Sequence, residues 1–134
     1  MACGFGTVYE AIEKIGVSVN HTVLVTGLGP VGLAALMLAR AMGADKLIGV
    51  EMNDYRIRLA KKLGLADLII KPGDGALEEI LEATGGHGAE RAIDASANDQ
   101  ARQLAVRGTR EWGKIAFVGE GGTSTLNPSP DMIH

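Results

Sequence analysis

The chain has 134 residues, which suits a single domain, because domains run to roughly 100–200 residues. Its formal net charge of −3 provides no basic surface for nucleic acid or an anionic membrane, and no apolar run approaches the roughly 18 residues of a membrane span. A single cysteine, Cys3, excludes an internal disulfide, and the N-terminus lacks a signal-peptide pattern, so we expect a cytoplasmic protein.

Short apolar runs alternate with longer helix-forming segments along the chain. The short runs predict strands and the longer segments predict helices. In chain order we expect a helix at 7–15, a strand at 22–27, a helix at 30–42, a strand at 46–51, a helix at 54–63, a strand at 68–70, a helix at 76–84, a strand at 90–95, a helix at 99–107 and a strand at 113–119. Because parallel neighbours need crossover connections, this alternation predicts an α/β fold: one Rossmann-type domain with a doubly wound parallel sheet.

The segment from Gly27 to Gly32, Gly-Leu-Gly-Pro-Val-Gly, is the strongest functional signal. A G-x-G-x-x-G pattern alone is weak in a chain with 19 glycines, but this one follows a predicted strand and opens a predicted helix. Gly27 would permit the tight turn, Gly29 the approach of a pyrophosphate, and Gly32 close packing of the helix. We expect Pro30 at the first helical position and the amides of Val31 and Gly32 at the phosphates.

An acidic residue, Glu51, ends the second predicted strand nineteen residues after Gly32. Its carboxylate can accept hydrogen bonds from both ribose hydroxyls of adenosine, and it would repel a 2′-phosphate by about 4 kcal/mol per unit charge at ~4 Å and an effective dielectric of ~20. We therefore expect NAD, with NADP disfavoured, and place Met52 in the same site. Arg56 is the countercase, because arginine can hold a 2′-phosphate. We interpret Arg56 as a contact to the ribose or to Glu51, the alternative being a solvated helix residue.

Other nucleotide-binding motifs are absent from the sequence. Leu33-Ala34 stands where a P-loop needs Lys-Ser/Thr, and neither Tyr9 nor Tyr55 is followed four residues later by the lysine of short-chain dehydrogenases. Two alternatives to a dinucleotide site remain. One is a purely structural glycine turn, and the other is a methyltransferase, against which the third glycine argues.

Several segments resemble zinc-dependent, medium-chain alcohol dehydrogenases and follow one another in that family's order. They are residues 3–9, 27–32, 49–51, 94–96, 117–119 and 129–134. The resemblance covers essentially the whole chain and implies the NAD-binding domain of an alcohol or polyol dehydrogenase. In that family zinc polarises a small-molecule alcohol while hydride passes to the nicotinamide.

The resemblance also implies roles for single residues. Cys3 stands where the family has its third catalytic zinc ligand, but a catalytic zinc needs three protein ligands, and the histidines show no ligand spacing. We therefore expect zinc in the full-length enzyme and none in this chain. Ala97 stands where the family usually has glycine. The implied cofactor contacts are Thr7 at the nicotinamide, Ala95 and Ser96 at the adenosine or the nicotinamide ribose, and the backbones of Val118, Gly119 and Glu120 at the carboxamide.

Family members are much longer than this chain, so we expect a cofactor domain excised from a longer dehydrogenase and inactive by itself. A stand-alone NAD(H)-sensing module is the alternative. The chain ends before the sixth strand of the order 3-2-1-4-5-6. We therefore expect the exposed edge of strand five to drive homo-oligomerisation or to be covered by residues 122–127.

Four residues near the fifth strand carry further predictions. Three of them are arginines that could form an anion site, but we interpret them as a solvated helix face, because long cationic side chains are usually exposed: Arg102, Arg107 and Arg110. Trp112 is expected to pack into a corner between the last helix and the last strand.

Overall fold

The computed structural model describes residues 2–119, and the side-chain surroundings of residue 6 and residues 8–119. Five helices and five strands alternate within this part of the chain. In order they are α1 (Ala2–Ile15), β1 (Thr22–Thr26), α2 (Pro30–Ala41), β2 (Lys46–Val50), α3 (Asp54–Leu63), β3 (Leu68–Ile70), α4 (Ala76–Ala83), β4 (Ala89–Asp94), α5 (Asp99–Arg107) and β5 (Thr109–Phe117). Helix α1 begins at Ala2 rather than at residue 7, and the other elements agree with the prediction apart from the start of β5 and small shifts at the ends.

The strands form one parallel sheet in the order β3-β2-β1-β4-β5. This confirms the doubly wound α/β fold. The chain moves outward from β1 through β2 to β3 and then crosses to β4 on the other side of β1. The connections that follow the carboxyl ends of the neighbouring strands β1 and β4 therefore run to opposite sides of the sheet, and α/β sheets form their ligand crevice at such a switch point.

Strand β1 lies at the centre of the sheet and is buried on both faces. Its side chains alternate between two apolar clusters, because successive strand residues point to opposite faces. Val23 and Val25 pack on the face covered by α1 and α2, and Leu24 packs on the face covered by α4 and α5. Complete burial of each such side chain contributes roughly 1.5–3 kcal/mol.

An asparagine caps the start of helix α3 and another caps the start of helix α5. The side chain of Asn53 accepts from the Arg56 amide at 3.1 Å, and that of Asn98 accepts from the Ala101 amide at 3.0 Å. Such caps satisfy amides that have no partner within the helix. They fix where α3 and α5 begin, directly after the carboxyl ends of β2 and β4.

Strand β5 differs from the prediction at its start. It begins at Thr109, and its pairing with β4 is interrupted: β4 advances from Ala89 to Arg91 while β5 advances from Thr109 to Lys114. Trp112 lies in this bulge with a φ of +65° and is 97% exposed. The expectation that Trp112 packs into a corner is therefore wrong, because the extra residues of the bulge turn its side chain outward.

We expect Trp112→Asn to raise the free energy of unfolding by about 0.5–1 kcal/mol, because asparagine adopts the left-handed conformation at lower cost than a bulky residue. Urea unfolding followed by circular dichroism measures this change. Trp112→Ala is the control, because it removes the same indole but keeps the strained backbone, and it should change stability by less than about 0.5 kcal/mol. Equal stabilisation by both variants would show that the gain comes from removing the indole.

Strand β5 lies at the edge of the sheet, and its outer side is where the sequence predicted a covering segment or a partner subunit. Residues 122–127, expected to cover the β5 edge, lie outside the described residues, and homo-oligomerisation stays a prediction. Within residues 2–119, no helix combines the length and apolar character that crossing a membrane requires.

Candidate functional site

The turn between β1 and α2 depends on two glycines that touch backbone. Gly27 has a φ of +87°, and a Cβ built on it would lie 2.7 Å from the Ser96 nitrogen. A Cβ on Gly32 would lie 1.7 Å from the carbonyl oxygen of Gly27. No side chain fits at either position, so both glycines are needed to bring α2 and the start of the β4–α5 loop against the end of β1.

Gly29 differs from these two glycines because it faces the cleft. It precedes Pro30 at the start of α2, and no side chain caps this helix. The first amides of a helix have no intrahelical acceptor and carry a partial positive charge. The nearest group to a Cβ at Gly29 would be the Arg56 guanidinium, at 3.6 Å. The helix start therefore presents backbone to the cleft, with a cation beside it.

Glu51 is 8% exposed and is held by three backbone amides. Its Oε1 accepts from the Leu28 amide at 2.8 Å, and its Oε2 accepts from the amides of Met52 and Asn53, each at 2.9 Å. A carboxylate has about four acceptor positions, so three are occupied and one remains at Oε1. The contacts to both ribose hydroxyls that the sequence predicted stay a prediction.

Arg56 lies beside that remaining position. Its Nη1 is 3.8 Å from Oε1 of Glu51, and its side chain is half exposed. This agrees with its interpretation as a contact to Glu51, while a contact to a ribose stays a prediction. The pair places one cation and one anion side by side at the mouth of the cleft.

A cleft of about 770 Å³ opens along the carboxyl ends of the strands. Its volume falls within the range of small-molecule and cofactor pockets, roughly 300–1,000 Å³. The predicted site residues that line it are Gly27, Gly29, Pro30, Val31, Glu51, Met52, Arg56, Ala95 and Ser96. The fold therefore brings these nine residues together at one site.

The sequence analysis missed the far wall of this cleft. That wall consists of Pro72, Gly73, Asp74, Gly75, Leu77, Glu78, Asn98, Gln100, Ala101, Gln103, Leu104 and Arg107. A signal was present at 72–75, because a Pro- and Gly-rich loop after a parallel strand lies at the edge where α/β proteins bind ligands.

An ion pair at the cleft margin anchors this missed loop. Lys71 Nζ lies 2.7 Å from Oδ1 of Asp54, at the start of α3. The hydrogen bond and the charge of Lys71 lower the pKa of the Asp54 carboxyl below its usual value. The pair is exposed, and it links the loop after β3 to the helix that carries Arg56.

Asp94, at the end of β4, is fully buried and accepts hydrogen bonds from several directions. The Thr26 hydroxyl donates to Oδ1 at 2.7 Å, and the Ser96 hydroxyl donates to the same oxygen at 2.5 Å. The amide of Ala97, a residue with a φ of +58°, donates to Oδ2 at 3.3 Å. Asp94 therefore fixes the 95–97 loop, including Ala97 in its left-handed conformation.

Arg102 is also buried, with 6% exposure, so its interpretation as part of a solvated helix face is wrong. Its Nε donates to Oδ2 of Asp94 at 3.2 Å, and its Nη2 donates to the Gly119 carbonyl at 2.8 Å. Its guanidinium carbon lies 5.5 Å from the Phe117 ring centroid. Arg107 and Arg110 are exposed as expected, but Arg110 lies on β5 rather than on a helix, and Arg107 lines the cleft. The signal for Arg102 was the buried-strand position of Asp94, since a buried carboxylate needs a partner.

The residues after β5 lie beside the cleft rather than in its lining. The amides of Val118 and Gly119 donate to the carbonyl of Asp94 at 2.8 and 3.1 Å. These two N–H groups are therefore engaged within the fold, and the carboxamide contacts that the resemblance implies stay a prediction. Glu120 and the side chains of Thr7 and Cys3 lie outside what the structure describes.

A metal site was expected only in the full-length enzyme. The described part of the chain contains no cluster of three or more His, Cys, Asp or Glu residues that could hold a metal ion. The described residues therefore provide no donor set for zinc, and the role implied for Cys3 stays a prediction.

Comparisons with known proteins agree with the fold. The chain is 42% identical over its whole length to an uncharacterized zinc-type alcohol dehydrogenase-like protein, YphC, of Escherichia coli, covering 38% of that protein. It is 34% identical over 86% of its length to a sorbitol dehydrogenase of Bacillus subtilis, covering 33% of that enzyme. The chain thus spans about a third to two fifths of the length of these relatives.

A solved structure and a family profile point the same way. The zinc-dependent alcohol dehydrogenase 2 of Streptococcus pneumoniae, in its apo form, superposes with a TM-score of 0.85 at 30% identity, over 93% of this chain and 37% of that one. The profile described as zinc-binding dehydrogenase matches residues 30–134, most of the sequence. This chain therefore belongs to the zinc-binding dehydrogenase family, of which it carries the Rossmann-type domain.

Proposed function

We propose that this chain binds NAD(H) as the cofactor domain of a zinc-type alcohol or polyol dehydrogenase. The observation that carries the proposal is the buried Glu51 carboxylate, which keeps one acceptor position at the mouth of the cleft. An acid at the end of the second strand of a Rossmann fold binds the adenosine ribose. One ribose hydroxyl donating to Oε1 would complete the hydrogen bonding of this carboxylate.

The start of α2 fits the pyrophosphate. Gly29 leaves its Cβ position open toward the cleft, and its only near neighbour is the end of a flexible arginine. The amides of Val31 and Gly32, which no side chain caps, supply hydrogen-bond donors, and Arg56 supplies a positive charge opposite to that of the pyrophosphate. Donors, charge and open space thus coincide at one point of the cleft.

NAD is favoured over NADP by the charge at the ribose site. The Glu51 carboxylate is fixed by three amides and cannot turn away from a 2′-phosphate. Arg56 opposes this repulsion, but it lies 3.8 Å from the same carboxylate and is half exposed to solvent. The buried anion, held by three amides, therefore outweighs the half-exposed, hydrated cation.

Substrate and zinc belong to the rest of the longer enzyme. Relatives include an alcohol dehydrogenase of Cupriavidus necator and a human sorbitol dehydrogenase, so a primary or secondary alcohol is the proposed substrate class. A bound nicotinamide would accept or give the hydride. The described residues lack a zinc donor set, so the role proposed for this chain is to bind and orient the cofactor.

Calorimetric titration with NADH, NADPH and S-adenosylmethionine tests the proposal. We expect saturable NADH binding that is at least about tenfold tighter than NADPH binding. Arg56→Gln should widen this ratio, because the 2′-phosphate then meets Glu51 without a nearby cation. Arg58→Gln is the matched control, since Arg58 is exposed on the same helix and does not line the cleft, and it should leave the ratio within about twofold.

Each contrary result of the titration has a distinct meaning. Absence of NADH binding overturns the assignment of the cleft as a cofactor site. NADPH binding as tight as NADH overturns the role given to Glu51. Binding of S-adenosylmethionine in place of NADH would assign the glycine turn to methyl transfer.

A further inference from the structure

Arg102 joins two segments that come from different strands. Its Nε donates to Asp94, the residue that fixes the 95–97 loop, and its Nη2 donates to the Gly119 carbonyl beyond β5. Its guanidinium carbon lies over the Phe117 ring, 5.5 Å from the ring centroid. The position of Arg102 on α5 therefore ties together the carboxyl ends of β4 and β5.

The ends of β4 and β5 lie on the opposite side of the switch point from Glu51. The sheet order β3-β2-β1-β4-β5 places the end of β2, with Glu51, on one side of β1 and the ends of β4 and β5 on the other. A dinucleotide lies across such a crevice, with its adenosine ribose at the acid after β2. Its second nucleotide half then lies over the segments that Arg102 holds.

We propose that Arg102 is a positioning residue for the second, nicotinamide half of the dinucleotide. It acts through Asp94 on Ser96, which lines the cleft, and directly on the Gly119 carbonyl. It does not line the cleft itself. This inference rests on the proposed function. It gives the buried Arg102 guanidinium a role in the nicotinamide half of the cofactor site.

The close packing around these segments explains why their position needs a fixed support. A Cβ on Gly119 would lie 2.5 Å from the Ala97 nitrogen, and one on Gly27 would lie 2.8 Å from the Ser96 Cα. The 95–97 loop is thus wedged between the β1 turn and the residues after β5. Loss of the Arg102 contacts would release the Gly119 carbonyl and shift Ser96, whereas the hydrogen bonds of the Glu51 carboxylate go to the amides of Leu28, Met52 and Asn53 and to none of residues 94–97.

Comparison of NADH with AMP separates a positioning role from general destabilisation. AMP carries the adenosine ribose and one phosphate but no nicotinamide half, and both ligands are anionic. We expect Arg102→Met and Arg102→Lys to weaken NADH binding by about tenfold while AMP binding changes by less than about twofold. Arg110→Met is the control, because Arg110 is an exposed arginine outside this cleft, and it should change neither affinity.

Arg102→Met leaves a buried carboxylate without its cation, so its folding is checked by circular dichroism, and the titrations are run below its unfolding temperature. The double variant Asp94→Asn/Arg102→Met removes both charges and should show the same selective loss. Equal weakening of NADH and AMP in the folded variants, or no weakening of either, overturns the inference. Absence of NADH binding by the unaltered chain instead overturns the proposed function and this inference together.

Discussion

Replacement of Gly32 by alanine is expected to lower the free energy of unfolding by about 3 kcal/mol or more. The added Cβ would lie 1.7 Å from the Gly27 carbonyl oxygen, and neither atom belongs to a flexible side chain. Movement of Gly27 is restrained, because its amide donates to the Val50 carbonyl at 2.8 Å and a Cβ built on it would lie only 2.7 Å from the Ser96 nitrogen. Urea unfolding measures the loss.

Gly29→Ala is the matched control, because it adds the same methyl group within the same turn. Gly29 has an ordinary φ of −72°, and its nearest neighbour is the Arg56 guanidinium at 3.6 Å. We expect stability to change by less than about 1 kcal/mol, while NADH affinity falls because the methyl group enters the proposed phosphate site. If Gly32→Ala were as stable as Gly29→Ala, the close packing of α2 on the turn would be incorrect.

Glu51→Ala is expected to lower the free energy of unfolding by about 2–4 kcal/mol and to weaken NADH binding by at least about tenfold. The carboxylate accepts from the amides of Leu28, Met52 and Asn53, which join the glycine turn to the start of the β2–α3 loop. Removal of the carboxylate leaves the three amides without a protein acceptor in this position, so they must bond to water. Thermal unfolding and calorimetry on the same preparation measure both losses.

Glu78→Ala provides the control for Glu51→Ala. Glu78 lines the same cleft but is exposed, so its removal should change stability by less than about 0.5 kcal/mol. A normal NADH affinity in a folded Glu51→Ala chain would mean that the carboxylate serves the fold alone. An unchanged stability would instead contradict the three amide hydrogen bonds.

The sequence by itself determined the order of helices and strands and the glycine turn with its acid. These features are local, since apolar periodicity and glycine spacing act over a few residues. Parallel pairing then follows from the alternation, because each strand must be followed by a crossover. Nine of the predicted cofactor residues consequently line one cleft, although their contacts with a cofactor stay predictions.

Only the tertiary structure decided which polar groups are already engaged within the fold. The sequence indicated a Glu51 carboxylate available to ribose hydroxyls, and it gave no sign that three backbone amides donate to this carboxylate in the fold. Arg102 has the spacing of an exposed helix residue, yet it is buried because Asp94 and Gly119, from two other segments, converge on its guanidinium. Trp112 is exposed because a bulge changes the register of β5. Each of these outcomes depends on contacts between segments distant in sequence, and such contacts exist only once the sheet has formed.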